Sequence, residues 1–142
     1  MNEFGKIWHT DVRAIKNVQI VGDSKVNDDP CHVPEHDDLY CSERWFTTNG
    51  GYDITVPNGE YKVTLSFVEI FHDGVGDRIF NIVIEGQPLR RQYDISKAAA
   101  EKKDGIARES FDVNVKDGVL NIEFLKVKQH PKISAVEITK VV

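Results

Sequence analysis

Cys31, His32, His36 and Cys41 crowd into one short stretch with Asp37 and Asp38 among them, the densest group of metal-ligating side chains in the chain. Two thiolates and two imidazoles can close a tetrahedral zinc site, but this spacing matches no standard zinc pattern. Asp28, Asp29, Asp73 and Asp77 offer the hard oxygens that calcium takes, yet aspartate is also a frequent turn former. No metal or other cofactor is expected. Glu69 with Asp73 or Asp77 has the residue types of a glycosidase carboxylate pair, with nothing in the spacing that sets the separation such enzymes need. Glu43 and Arg44 are adjacent, so in an extended segment they point to opposite faces and do not form a mutual acid and base. Their expected role is to hold their loop by bonding neighbouring backbone. The run Asp73-Gly74-Val75-Gly76-Asp77 lacks the lysine and helix of a phosphate loop. These residues do not add up to a catalytic centre, and the chain is expected not to be an enzyme.

Any site must be positioned by strands. Tyr61, Val63, Leu65 and Phe67 alternate with Lys62, Thr64 and Ser66, which buries one face of a strand. The same period recurs at Phe80, Ile82 and Ile84, at Phe111, Val113 and Val115, at Leu120, Ile122 and Phe124, and around Ala135. Two packed sheets would absorb these faces, so the expected fold is all-β, a two-sheet antiparallel sandwich of jelly-roll type. Asn58-Gly59 and Asp117-Gly118 are hairpin signals and predict pairing of the strands that flank each of them. One short helix is expected over Asp94 to Lys103, capped by Asp94 and ended by Gly105. Asn27 to Asp38, rich in Asp, Pro and His, reads as a long loop over one end of the sandwich.

The 142 residues, 40% of them hydrophobic, suit a single domain over residues 1–142 with one buried core. The net charge of -5 arises from intermixed acids and bases, without the clustered Lys and Arg of a nucleic-acid or anionic-membrane footprint. Neither nucleic acid nor membrane is an expected partner. No apolar run reaches the roughly 20 residues of a membrane span, and Met1 to Lys6 lacks the character of a secretory signal. Cys31 and Cys41 form either one disulfide or two free thiols, and a bridge would imply an extracellular or secretory compartment.

The stretch Leu39-Tyr40-Cys41-Ser42-Glu43-Arg44-Trp45, the Pro57-Asn58-Gly59 turn, the segment Phe67-Val68-Glu69-Ile70-Phe71-His72 and the run from Pro131 to Ile138 resemble, in order, the malectin-like carbohydrate-binding modules. That resemblance implies non-covalent glycan recognition, with aromatic faces stacking on the sugar ring and planar polar groups serving its hydroxyls. By motif position the stacking residues are Trp45, as a platform facing solvent, and Phe71. Tyr40, His72 and Gln129 supply polar contacts, and Glu43, Arg44 and Glu69 support the site. Gln129 stands where the family places a carboxylate, so hydrogen bonding survives without the charge. The alternative is an interaction or structural module that keeps the fold without the sugar site. The family's opening strand is missing before Gly5 to Asp11, the segment that holds Trp8, and a bare sheet edge of this kind makes a homodimer an expected association.

His72 is the candidate site residue whose charge changes near neutral pH, with an ordinary value of about 6.5. Titration calorimetry between about pH 5 and 8 should therefore show a pH-dependent glycan affinity that His72→Phe removes. A flat profile in the parent chain would take His72 out of the site.

Overall fold

The computed structural model describes residues 7–9, 17–28, 42–68, 74–100 and 105–141. Among these residues, twelve strands and one helix follow in chain order. They are β1 (Ile7–His9), β2 (Asn17–Val21), β3 (Ser24–Asp28), β4 (Ser42–Phe46), β5 (Gly50–Thr55) and β6 (Gly59–Phe67). Then come β7 (Ile79–Ile84), β8 (Gln87–Tyr93), α1 (Ile95–Ala99), β9 (Ala107–Val115), β10 (Val119–Lys128), β11 (Lys132–Ile133) and β12 (Ala135–Lys140). One sheet has the order β1-β12-β6-β9 and faces a second of order β2-β5-β10-β7-β8.

The period-two reading holds for the inner faces of β6, β7 and β10, whereas Val113 of β9 is only half-buried and Ser66 on the outer face of β6 is buried as well. Tyr61, Val63, Leu65 and Phe67 of β6, Phe80, Ile82 and Ile84 of β7, and Leu120, Ile122 and Phe124 of β10 are all buried in one continuous core. A fully buried side chain of this size contributes about 1.5–3 kcal/mol. At one end the core is aromatic: Phe67, Phe80 and Phe124 lie with ring centroids 5.7–6.3 Å apart, and Phe46 and Tyr93 pack beside them.

Both expected hairpins are corrected. β5 pairs with β2 and β10, whereas β6 pairs with β9 and β12, so the Asn58-Gly59 turn carries the chain from one sheet to the other. The Asp117-Gly118 turn does the same between β9 and β10. A glycine in the left-handed region, as at Gly118 with φ 77°, reverses the chain equally well within a sheet or between sheets. Long-range packing decides which. The two turns brace each other, the Gly118 N–H donating to Asn58 Oδ1 at 2.7 Å and the Val56 N–H to the Gly118 carbonyl at 3.1 Å. A true hairpin forms instead at Glu85-Gly86, between β7 and β8, where both residues have positive φ as a type I′ turn requires.

Three further differences follow from pairing that has no local signal. A third sheet, β11-β4-β3, closes one end of the sandwich, and Asn27 and Asp28 belong to its β3 rather than to a loop. β11 and β12 are one strand kinked at Ser134, so the third sheet is continuous with the first. The pairing is not wholly antiparallel, because Ile7–His9 runs parallel to Val136–Ile138 and covers part of the β12 edge. The helix starts where expected: Asp94 Oδ1 accepts from the Lys97 N–H at 3.2 Å, and α1 is described as far as Ala99.

Gly50 and Gly51 allow the closest approach in the fold. A Cβ on Gly51 would lie 1.9 Å from the Ile122 carbonyl oxygen, and one on Gly50 would lie 2.3 Å from the Phe46 ring. Gly51→Ala should therefore destabilise by about 3 kcal/mol or more. Gly86→Ala, in open space with φ 76°, should cost only about 1 kcal/mol. Urea unfolding midpoints of the two variants check this ordering.

Candidate functional site

The third sheet carries the most conspicuous arrangement of polar and aromatic groups. Along β4 the side chains alternate: Arg44 and Phe46 turn toward the core, and Glu43 and Trp45 share the opposite face. Trp45 sits across from Lys25 of β3 and Lys132 of β11. Lys132 Nζ reaches Glu43 Oε1 at 3.0 Å, and both side chains are almost completely withdrawn from water. Two charges are tolerated there because each offsets the desolvation of the other. On the core side, the Arg44 guanidinium donates to the Ser24 hydroxyl at 2.8 Å and lies beside the Tyr52 phenol. Burial pushes that phenol up, with Arg44 acting in the opposite direction.

Trp45 is partly buried, and two basic side chains account for it. The His130 ring lies 4.8 Å from the indole at a tilt of 40°, and Lys25 Nζ lies 5.8 Å from the ring centroid, within cation–π range. His130 is held in place by backbone. Its carbonyl accepts from the buried Arg78 guanidinium, and its Nδ1 is 3.3 Å from the Thr47 carbonyl oxygen. The next residue, Pro131, accepts the Phe46 N–H at 2.9 Å. The preceding residue, Gln129, is exposed with φ 61°, a left-handed conformation that non-glycine residues rarely adopt.

Three loops are thus linked through His130, whose ring lies against Trp45. They are residues 47–49, the turn at residues 74–77 leading to Arg78, and residues 129–131. Asn49 Oδ1 accepts the Lys126 N–H at 2.7 Å, and Lys128 Nζ donates to the Gly76 carbonyl at 2.9 Å. Asp77 behaves as a turn former, its carboxylate accepting the Gly74 N–H at 2.8 Å. The donors and acceptors fix a partly exposed indole flanked by an imidazole and an ammonium, with the exposed Gln129 one residue before that imidazole in the chain. Such a surface can stack on a flat apolar face and bond hydroxyls around its rim.

Of the residues singled out in the sequence, Trp45 and Gln129 come to the same end of the molecule, linked through His130. Tyr40, Glu69, Phe71, His72 and the Cys31 to Cys41 group lie outside the described residues. Trp45 does not simply face solvent, since His130 and Lys25 cover part of its ring. Glu43 and Arg44 are both buried, and the side-chain partners described for them include Lys132 and Ser24. His130, Lys25, Arg78 and Lys132 escaped notice in the sequence. A signal existed for Lys132, a lone charge in the otherwise uncharged, largely apolar run from Pro131 to Val136. The buried pair predicts strong coupling. Lys132→Met alone should destabilise by about 3–5 kcal/mol by removing the ammonium from the buried Glu43 carboxylate, whereas adding Glu43→Gln should recover part of that loss. Chemical unfolding of the two single variants and the double variant measures the coupling.

The comparisons with known proteins agree with this architecture. The Malectin domain profile matches residues 4–139. Malectin-B of Xenopus laevis is 28% identical over 120 aligned positions, a match that covers 75% of this chain and 44% of that protein. The chain therefore spans less than half the length of that relative. Among solved structures, the plant receptor-like kinase FER superposes with a TM-score of 0.76 at 19% identity, covering 95% of this chain and 41% of that one. A β-glucuronidase of Bacteroides uniformis superposes with a TM-score of 0.69 at 16% identity, over 86% of this chain and 14% of the enzyme. At these identities the superpositions establish the fold alone. The profile match spans nearly the whole chain, and with it the chain belongs to the malectin domain family, a group of carbohydrate-binding, lectin-like modules.

Proposed function

We propose that this chain is a non-catalytic glycan-binding module whose site lies beside Trp45. The observation that carries the reading is the partly exposed indole on a strand paired on both sides, braced by His130 and Lys25. A rigid strand holds an aromatic platform more accurately than a loop does, and the immobilised ring loses little entropy when a sugar packs on it. The sugar would lie on the composite surface of Trp45 and His130, with Gln129 bonding its hydroxyls. Motif position adds Tyr40, Phe71 and His72 as contacts and Glu69 as support. The buried Glu43–Lys132 pair and Arg44 keep β4 in register beneath the site. In a longer parent protein, such a module would raise the local concentration of an oligosaccharide or polysaccharide.

A second reading is an interaction module that has kept the fold without sugar binding. It is favoured by one observation: a superposable structure is that of FER in complex with the plant peptide RALF23 and LLG2. A glycan array separates the two readings, since binding to no oligosaccharide favours the second. Trp45→Ala should weaken glycan binding about thirtyfold or more, the effect of a hot-spot aromatic. Its stability should fall far less than the roughly 3–5 kcal/mol of a fully buried ring. His130→Ala should weaken binding by a smaller factor. If Trp45→Ala binds like the parent chain, the site lies elsewhere.

A further inference from the structure

Away from the Trp45 end, the sandwich is open along one side. β8 is the edge of one sheet and β9 the edge of the other, and neither has a further partner strand among the described residues. Near one end of β9 the gap between them is closed. Glu109 accepts from Arg90 at 3.0–3.1 Å and from the Tyr93 hydroxyl at 3.1 Å, and the Arg90 guanidinium covers the Phe111 ring at 4.8 Å. Beyond Phe111 the gap widens into a groove of about 480 Å³. Its floor is apolar, made by Ile84, Leu89 and Val113, of which Leu89 and Val113 are inner-face residues left only half-buried. Its rim carries Glu85, Asp112 and Asp117 against Lys116.

We infer that this groove docks an extended basic peptide segment of a partner protein, added as a strand along the β9 edge. Three observations converge on that occupant. The first is the difference between the two edges. β8 is blunted by Pro88, by two register shifts and by Gln92 in the left-handed region, whereas β9 keeps unbroken register over all nine of its residues. An unblunted edge is a template for one more strand. The second is the apolar floor, which an added strand would cover with alternate side chains. The third is charge. Three carboxylates against one ammonium favour a cationic segment, and burial together with Asp117 and Asp53 already holds the Glu85 carboxyl above its usual range. A second copy of the chain would instead bring its own Asp112 against this one.

The probe is a capped nonapeptide of alternating lysine and valine, titrated into the full chain. Calorimetry gives the affinity and amide NMR locates the contact. The expected result is salt-sensitive binding that perturbs Phe111 to Val115. Asp112→Lys should weaken it about fivefold and Lys116→Glu should tighten it about threefold, the scale of exposed charge pairs. Both residues are exposed, so neither change disturbs the core. The inference is overturned if analogues with serine or glutamate in place of lysine bind as well, or if the perturbed amides cluster around Trp45 and His130. It is equally overturned if the β9 signals broaden with protein concentration alone, which would assign the edge to a second copy.

Discussion

The aromatic end of the core is the packing on which the other parts of the molecule depend. β4, β6, β7, β8 and β10 each contribute one ring to it, Phe46, Phe67, Phe80, Tyr93 and Phe124, so all three sheets are represented. Edge-to-face and tilted contacts among these rings hold the two large sheets at one spacing and seat the small third sheet across their end. Tyr93 adds a polar link: its hydroxyl bonds Glu109 across the gap between the sheets, and burial together with that carboxylate holds the phenol well above its usual range. The loops that surround Trp45 emerge directly from these strands. Their positions are therefore set by a close-packed interior as well as by the hydrogen bonds among themselves.

The division between what could be read from the sequence and what could not follows the range of the interactions. Alternation along β6, β7 and β10 reports which face of a strand meets the interior, and every one of those positions is buried as read. Asp94 is similarly local, because a helix cap needs a carboxylate only three residues from the amide it serves. The turns at Asn58-Gly59 and Asp117-Gly118 were recognised as reversals and misjudged as hairpins. Pairing with a neighbour and stacking against it make the same demand on a turn, and the choice rests on residues far along the chain. The true hairpin at Glu85-Gly86 went unread because glutamate is a poor signal for positive φ. Family motifs drew attention to Trp45 and Gln129, and the order of residues along a motif is silent about His130, which meets Trp45 only through tertiary contact.

The buried pair of Glu43 and Lys132 illustrates a different principle. Replacing it by apolar residues of similar volume need not weaken the protein, since a matched pair gains little net energy after desolvation. Its value lies in discrimination. A shift of β11 against β4 by a single residue would send one of the two charges to the core side and separate the pair in a dry environment. The pair therefore penalises incorrect alignment more than it rewards the correct one. That is an appropriate safeguard for a two-residue strand whose few backbone bonds specify register weakly.

Asp94 serves two masters with one carboxylate: Oδ1 accepts the Lys97 N–H of α1, and Oδ2 accepts the Gly76 N–H at 2.7 Å. A five-residue helix is far too short to persist on its own, and among the described residues the turn at residues 74–77 is anchored by Asp94, Lys128 and its own Asp77. Neither segment can open without withdrawing support from the other, so helix and turn form one cooperative unit that frays together. The unit ends at Arg78, whose guanidinium holds the His130 carbonyl. Local melting of α1 is thereby connected, through two hydrogen bonds and a short turn, to the imidazole that covers Trp45.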